Sequence, residues 1–191
     1  MKNLRLALVA TTLLAAGAAQ AQDFHPGLQL TVSQPQGDLG DKDQVDMKTG
    51  YGAGIHVMID LKGGHALVPR LDYTMYKNSQ DVAPGISVDT KVNILMLGLD
   101  YNYFISHKAN QGFYLDAGLG YGSAKFEAGA MGVSFSDTPN AVYVAAGLGY
   151  MFNPNVGAEL RYTSAKYEPE FAGTKMSATC PAINASVVFR F

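Results

Sequence analysis

Val142-Tyr143-Val144-Ala145-Ala146-Gly147-Leu148-Gly149-Tyr150-Met151-Phe152 is the stretch on which the fold is decided. Val142, Val144, Ala146, Leu148, Tyr150 and Phe152 fall on one parity. Tyr143, Ala145, Gly147, Gly149 and Met151 take the other. Successive side chains of an extended strand point to opposite faces, so a period of two builds one wholly apolar face and one of mixed size and polarity. On a helix both sets would scatter around the axis.

Working outward, the same period returns on both sides. Phe113, Leu115, Ala117, Leu119 and Tyr121 alternate with Tyr114, Asp116, Gly118, Gly120 and Gly122. Residues 51–61, 67–76 and 95–103 repeat the pattern before it, and 156–162 and 183–191 after it. A weaker segment surrounds Leu28, Leu30 and Val32, its start blurred by Pro26 and Gly27. Eight strands follow, and the chain reads as all-β. The sequence has 21 Gly, 11 Tyr and 9 Phe with only 16% charged residues, a composition suited to close-packed strands.

A soluble sandwich also alternates, so three further features decide the solvent. The connections alternate in length. Lys62-Gly63-Gly64-His65, 106–111 and 153–155 are short, whereas 35–50, 78–85, 127–140 and 168–178 are long and polar. Short turns at one end and long loops at the other are the pattern of an outer-membrane barrel, which puts both termini of an even-stranded barrel on the periplasmic side. With strand directions assigned on that basis, Tyr101, Tyr103, Phe113, Tyr150, Phe152, Phe189 and Phe191 gather at the periplasmic rim. Tyr51, Tyr73, Tyr121 and Tyr162 gather at the extracellular rim, with an aliphatic belt between. Such girdles seat amphipathic rings at lipid headgroups. Finally, the apolar faces are almost free of charge, while the opposite faces hold Asp60, Arg70, Asp72, Asp100, Asp116, Glu159, Arg161 and Arg190. Polar inside and apolar outside suits lipid, and closure satisfies every backbone donor and acceptor there. The expected fold is a closed antiparallel up-and-down transmembrane β-barrel of eight strands.

Lys2 and Arg5, an apolar run over 6–14 and the ending Ala19-Gln20-Ala21 read as a secretory signal peptide, cleaved before Gln22. Residues 1–21 are thus expected to be removed, leaving 22–191 as the barrel domain. Without Lys2 and Arg5 the mature chain holds 12 basic and 16 acidic residues, which gives no reason to expect a nucleic acid partner. Cys180 is the only cysteine, so no internal disulfide forms, and it reads as a small filler before the last strand.

The signal ending together with the terminal strand Ile183-Asn184-Ala185-Ser186-Val187-Val188-Phe189-Arg190-Phe191 resembles the small eight-stranded outer-membrane barrels, such as the transmembrane domain of OmpA, OmpX and related porin-family proteins. The resemblance implies that Phe189 and Phe191 are read by the barrel-assembly machinery. It also implies a monomer in contact with outer-membrane lipids and lipopolysaccharide, without the peptidoglycan-binding domain of OmpA.

Such a resemblance specifies architecture more than activity. Eight strands enclose a space that side chains just fill, so inward charges must pair. Arg70, Asp100 and Asp116 are expected to form one cluster, and Asp72, Glu159 and Arg161 another, as a structural network. A narrow solute pore is the competing reading. A lipid-modifying enzyme is the second, but His56 has no serine nearby, and His25, His65 and His107 read as solvated residues near periplasmic ends. No catalytic set, cofactor site or metal site is expected. Asp41, Asp43 and Asp46 lack the glycine and closing glutamate of a calcium loop. The recurrence of Ala117-Gly118-Leu119-Gly120-Tyr121 as Ala146-Gly147-Leu148-Gly149-Tyr150 reads as inward glycines making room for Tyr76, Tyr114 and Tyr143. Alternation also continues through 88–92 and around Lys125, Phe126, Val133 and Phe135, so some strands should protrude as ribbon toward an extracellular partner. The expected role is structural or adhesin-like.

Overall fold

The computed structural model describes residues 23–41, 47–83, 86–130, 133–168, 170–171, 174–175 and 177–191, with the side chains of 80–89, 128–135 and 170–175 outside that description. The expected signal peptide, and Asp43 and Asp46 of the acidic loop, lie outside the described residues.

The sheet closes on itself. In chain order the strands are β1 (Phe24–Pro35), β2 (Gly50–Lys62), β3 (His65–Ala83), β4 (Ile86–Phe104), β5 (Gly112–Ala130), β6 (Val133–Asp137), β7 (Asn140–Asn153), β8 (Val156–Tyr167), β9 (Glu170–Phe171), β10 (Thr174–Lys175), β11 (Ala178–Thr179) and β12 (Ala182–Arg190). Eight of them run antiparallel around the barrel in the order β1-β2-β3-β4-β5-β7-β8-β12. The last pairs back onto the first from Gly27↔Arg190 to Pro35↔Ala182. No sheet edge remains in the spanning part, which is what hydrocarbon surroundings require.

Two of the remaining strands are continuations broken by proline. β6 and β7 both pair with β5, and Pro139, whose carbonyl accepts from Ala124 N (3.0 Å), interrupts them. β11 and β12 both pair with β8, and Pro181 sits at their break. Proline cannot donate to the ladder, so each break falls where the chain lacks an N–H.

β3, β4 and β5 each run 19 residues. At about 3.3 Å per residue that is roughly 63 Å of strand, far more than a tilted crossing of 9–11 residues needs. The expected loop over 78–85 is instead ladder: β3 and β4 stay paired as far as Ala83↔Ile86. The ribbon expected around 88–92 and 125–135 is present as backbone pairing, with β4 matched to β5 as far as Val88↔Ala130. The first loop departs from expectation. It forms a helical turn at Gly37–Gly40 and folds inward, with Leu39 and Met47 buried.

The outward face is what a water-soluble protein would hide. Leu28, Leu30, Val32, Ile55, Leu95, Leu97, Leu115, Leu119, Val142, Val144, Leu148, Leu160, Ile183 and Val187 are all exposed. A continuous aliphatic belt of that kind lies against lipid. Tyr51, Tyr73, Tyr121 and Tyr162 border it at one rim, and Tyr101, Phe113, Tyr150, Phe152 and Phe191 at the other, all exposed. Tyr103 and Phe189 are half-buried in the second rim.

Candidate functional site

The strands enclose a lumen, and among the described residues side chains fill it in three layers. Its middle layer is ionic. Arg70 on β3 donates from Nε to Asp72 Oδ2 (2.8 Å) and from Nη1 to Asp100 Oδ2 (2.7 Å) and Glu159 Oε1 (3.2 Å). Arg161 on β8 donates from Nη2 to Asp100 Oδ1 (2.8 Å) and from Nε to Asp116 Oδ1 (3.2 Å), with Asp72 Oδ2 at 3.8 Å. Asp100 is fully buried and bridges the two guanidinium groups. Gln29 Nε2 adds a bond to Asp72 Oδ1 (2.6 Å), and Tyr114 Oη donates to Glu159 Oε2 (2.9 Å).

The six charges are therefore one network, where the sequence suggested two. Glu159 bonds Arg70 across the lumen and not Arg161 two residues away; Asp116 bonds Arg161 and not Arg70. Arg70 keeps its same-strand neighbour Asp72, yet long arginine side chains also span a lumen this narrow, so Glu159 and Asp116 find partners on other strands.

Below this layer lies an apolar and aromatic floor. Met58, Ala66, Val68, Phe104, Tyr114 and Met151 pack together, all buried. Arg190 sits in it, donating from Nη1 to Asn110 Oδ1 (3.0 Å), with its guanidinium carbon 5.5 Å from the Tyr114 ring centre and 5.9 Å from that of Phe104. Asn110 reaches the lumen from the β4–β5 turn, where it takes φ +61°, a conformation that asparagine tolerates better than most residues. Sequence reading placed Arg190 inward but missed this floor, because Asn110 belongs to a turn without periodicity.

Above the ionic layer is a second apolar plug. Tyr76, Ile94, Met96, Phe126, Tyr143 and Tyr167 converge with Leu39 and Met47 from the first loop and with Cys180. Glycine makes room here. A Cβ on Gly98 or Gly120 would collide with the Tyr143 ring, and one on Gly149 with Tyr114. Tyr76 lies instead against Gly50, outside the repeat, and Tyr167 against Gly122. Ser33 Oγ lies 2.6 Å from both Tyr76 Oη and Asn184 Oδ1, tying plug to wall. Two small cavities, one in the upper plug and one beside the ionic layer, measure about 10 Å³ each. That is the lower limit for a single water.

No nucleophile and base converge in this interior among the described residues. His56 is buried beside Gly27, and neither ring nitrogen has a hydrogen-bond partner among the described residues. No group of three or more potential metal ligands exists among the described residues. At the rim that carries Tyr101 and Phe113, His65 is not simply solvated. It bonds Tyr101 Oη through Nδ1 (2.5 Å), stacks on Tyr101 and lies tilted against Tyr103, with His107 edge-on to Tyr103.

Comparison with known proteins agrees with this architecture. Residues 6–191 match the family model of the outer membrane protein beta-barrel domain. Among solved structures the chain is similar to Ail, the attachment invasion locus protein of Yersinia pestis, in complex with the heparin analogue sucrose octasulfate. The identity is 16% over 90% of this chain and 100% of that one, with a TM-score of 0.62. It is also similar to Neisserial surface protein A, at 18% identity over 90% and 100% with a TM-score of 0.57. A third similar structure is the N-terminal β-barrel domain of Pseudomonas aeruginosa OprF, at 15% identity over 88% and 100%, also with a TM-score of 0.57. At these identities the likeness is one of fold. No curated protein matches the chain.

Proposed function

We propose, for a chain that belongs to the outer membrane protein beta-barrel domain family, a non-catalytic and non-conducting role: a closed barrel that presents β-hairpins outside the cell. Members of the family reside in the bacterial outer membrane. The observation that carries the proposal is the filled lumen, in which an ionic layer is sealed between two apolar plugs. A pore needs connected water, and an enzyme of this class needs a nucleophile and base at one rim. Neither is supported by the arrangement of the described side chains.

The surface role rests on the long β3–β4 and β4–β5 ribbons. Beyond Tyr51↔Met75, the last described pair of β2 with β3, the β3–β4 ladder continues to Ala83↔Ile86 as a projecting hairpin that a partner could meet. In this reading both termini are periplasmic, Phe189 and Phe191 recruit the assembly machinery, lipid and lipopolysaccharide surround a monomer, and no cofactor is used.

Planar-bilayer recording tests the closed lumen. Folded protein, verified by its heat-modifiable electrophoretic mobility, should insert without discrete conductance steps; reproducible steps would overturn the proposal. Orientation has its own test. An epitope inserted between Glu168 and Ser177 should be reached by antibody on intact cells, and a tag before Asp23 only after permeabilisation.

A further inference from the structure

One rim of the barrel carries a basic and aromatic surface that neither the lumen network nor the hairpins use. The β2–β3 turn, Lys62-Gly63-Gly64-His65, packs directly on the β4–β5 turn. Phe104 N donates to Gly64 O (2.7 Å), and a Cβ on Gly64 would lie 2.8 Å from His107 Cα. Lys62, Gly63, Gly64 and His107 all take positive φ, which holds the two turns in this tight apposition. The contact gathers Lys62, His65, His107 and Lys108 on one side of the barrel, the lysines and His107 exposed and His65 half-buried.

The tyrosines of the girdle order this surface. Tyr103 lies between the two imidazoles, its ring centre 5.1 Å from that of His65 and 6.0 Å from that of His107. When Tyr101 Oη donates to His65 Nδ1, the ring proton of His65 sits on Nε2, the nitrogen remote from the girdle. The acidic groups nearby are Asp60, whose Oδ1 accepts from Lys62 N (2.6 Å), and exposed Asp23, whose carbonyl accepts from Asp60 N (3.1 Å). Among the ion pairs of the described residues, none joins either carboxylate to these lysines. Outward and adjacent, Ile105, Phe113 and Leu115 expose apolar side chains at the start of the lipid belt. The third turn at this end, Asn153-Pro154-Asn155, carries no charge, so the positive surface is one-sided.

We infer that the paired β2–β3 and β4–β5 turns form a binding site for the phosphate of an anionic glycerophospholipid in the membrane leaflet at this rim. Lys62 and Lys108 supply the charge, the two imidazoles supply N–H donors, and Ile105, Phe113 and Leu115 receive the acyl chains. Lysine held near a lipid headgroup by an amphipathic aromatic is a favourable arrangement, because the ammonium meets phosphate without leaving water. The inference rests on the outer face being in lipid, and is independent of whether the lumen conducts.

The test uses the full mature protein in phosphatidylethanolamine nanodiscs. Either phosphatidylglycerol or phosphatidylcholine is the guest lipid, and native mass spectrometry reads the guest retained. Phosphatidylglycerol should be retained over phosphatidylcholine. Lys62→Gln combined with Lys108→Gln should lower its retention by about fivefold per lysine. His65→Phe, which keeps the ring stack and removes the donor, should give a smaller loss. Lys77→Gln with Lys91→Gln, at the opposite end, should change nothing. Equal retention of both lipids, or equal losses from both lysine pairs, would overturn the inference. A protein lacking its heat-modifiable folded form in the nanodisc would instead mark failure of the barrel reading itself.

Discussion

Arg70→Leu is the perturbation whose cost can be worked most directly from the lumen. Arg70 contacts three carboxylates, at 2.8, 2.7 and 3.2 Å. Without it, Asp100 keeps only Arg161, and Glu159 keeps only the Tyr114 hydroxyl. Asp72 keeps Gln29 and the longer approach of Arg161 at 3.8 Å. Three buried carboxylates then share the Arg161 guanidinium and the fourth, Glu159, is left without one. Removing one partner from a buried ion pair costs about 3–5 kcal/mol, since the remaining charge stays desolvated and unpaired. With a urea m-value near ~2 kcal/mol/M, the unfolding midpoint should fall by roughly 2 M. The chain has no Trp, so unfolding in lipid vesicles is best followed by the loss of the heat-modifiable folded band. Adding Glu159→Leu to Arg70→Leu should recover part of the loss, because one orphaned carboxylate goes with it. A single-variant cost below about 1 kcal/mol, the level of a solvent-exposed pair, would refute the reasoning by showing that water reaches the network.

Tyr143→Ala removes the ring that fills the space beside Gly98 and Gly120, and should cost about 3–5 kcal/mol in the urea assay while the ionic layer and the floor keep the barrel silent in planar bilayers. Gly118→Ala would press a Cβ onto the Asp100 carboxylate, and should cost about 1–3 kcal/mol in the same urea assay. Cys180 lies beyond the girdle of Tyr51, Tyr73, Tyr121 and Tyr162, and burial pushes its thiol up to about 12. Maleimide should therefore modify it slowly at pH 8 in the folded barrel and rapidly after unfolding. Because the unfolded thiol loses its proton first, folding stability should fall as pH rises from about 9 toward 12. Phe191 is highly exposed, so Phe191→Ala should leave refolding into vesicles intact while lowering the amount assembled in the outer membrane of cells. Equal loss in both settings would assign Phe191 to stability instead of assembly.

The alternation at 142–152 announced β7, and the same parity placed every charge of the lumen network on the inner face before any contact was known. Parity fixes which way a side chain points, but not which partner it meets. That choice depends on barrel stagger and on arginine reach, which is why Glu159 and Asp116 exchanged partners relative to expectation. Leu39 and Met47 were illegible for a different reason. They occupy a loop with no period, and their burial comes from the loop folding back into the barrel mouth. Pro139 and Pro181 are visible in the sequence as breakers, yet only the ladder shows that each divides one strand instead of ending it. The rim site was equally hidden, because Gly64 and His107 meet through two turns separated by the whole of β3 and β4.

The most direct test of the closed barrel in lipid returns to β7. Nitroxide side chains placed singly from residue 142 to 152, in protein reconstituted into phospholipid vesicles, report access to oxygen and to a water-soluble nickel chelate. Positions 142, 144, 146, 148 and 150 should be open to oxygen, whereas 143, 145, 147, 149 and 151 should be shielded from both reagents. Nickel access at the second set would show an open aqueous lumen, and oxygen access at both sets would show that the strand does not wall a closed barrel.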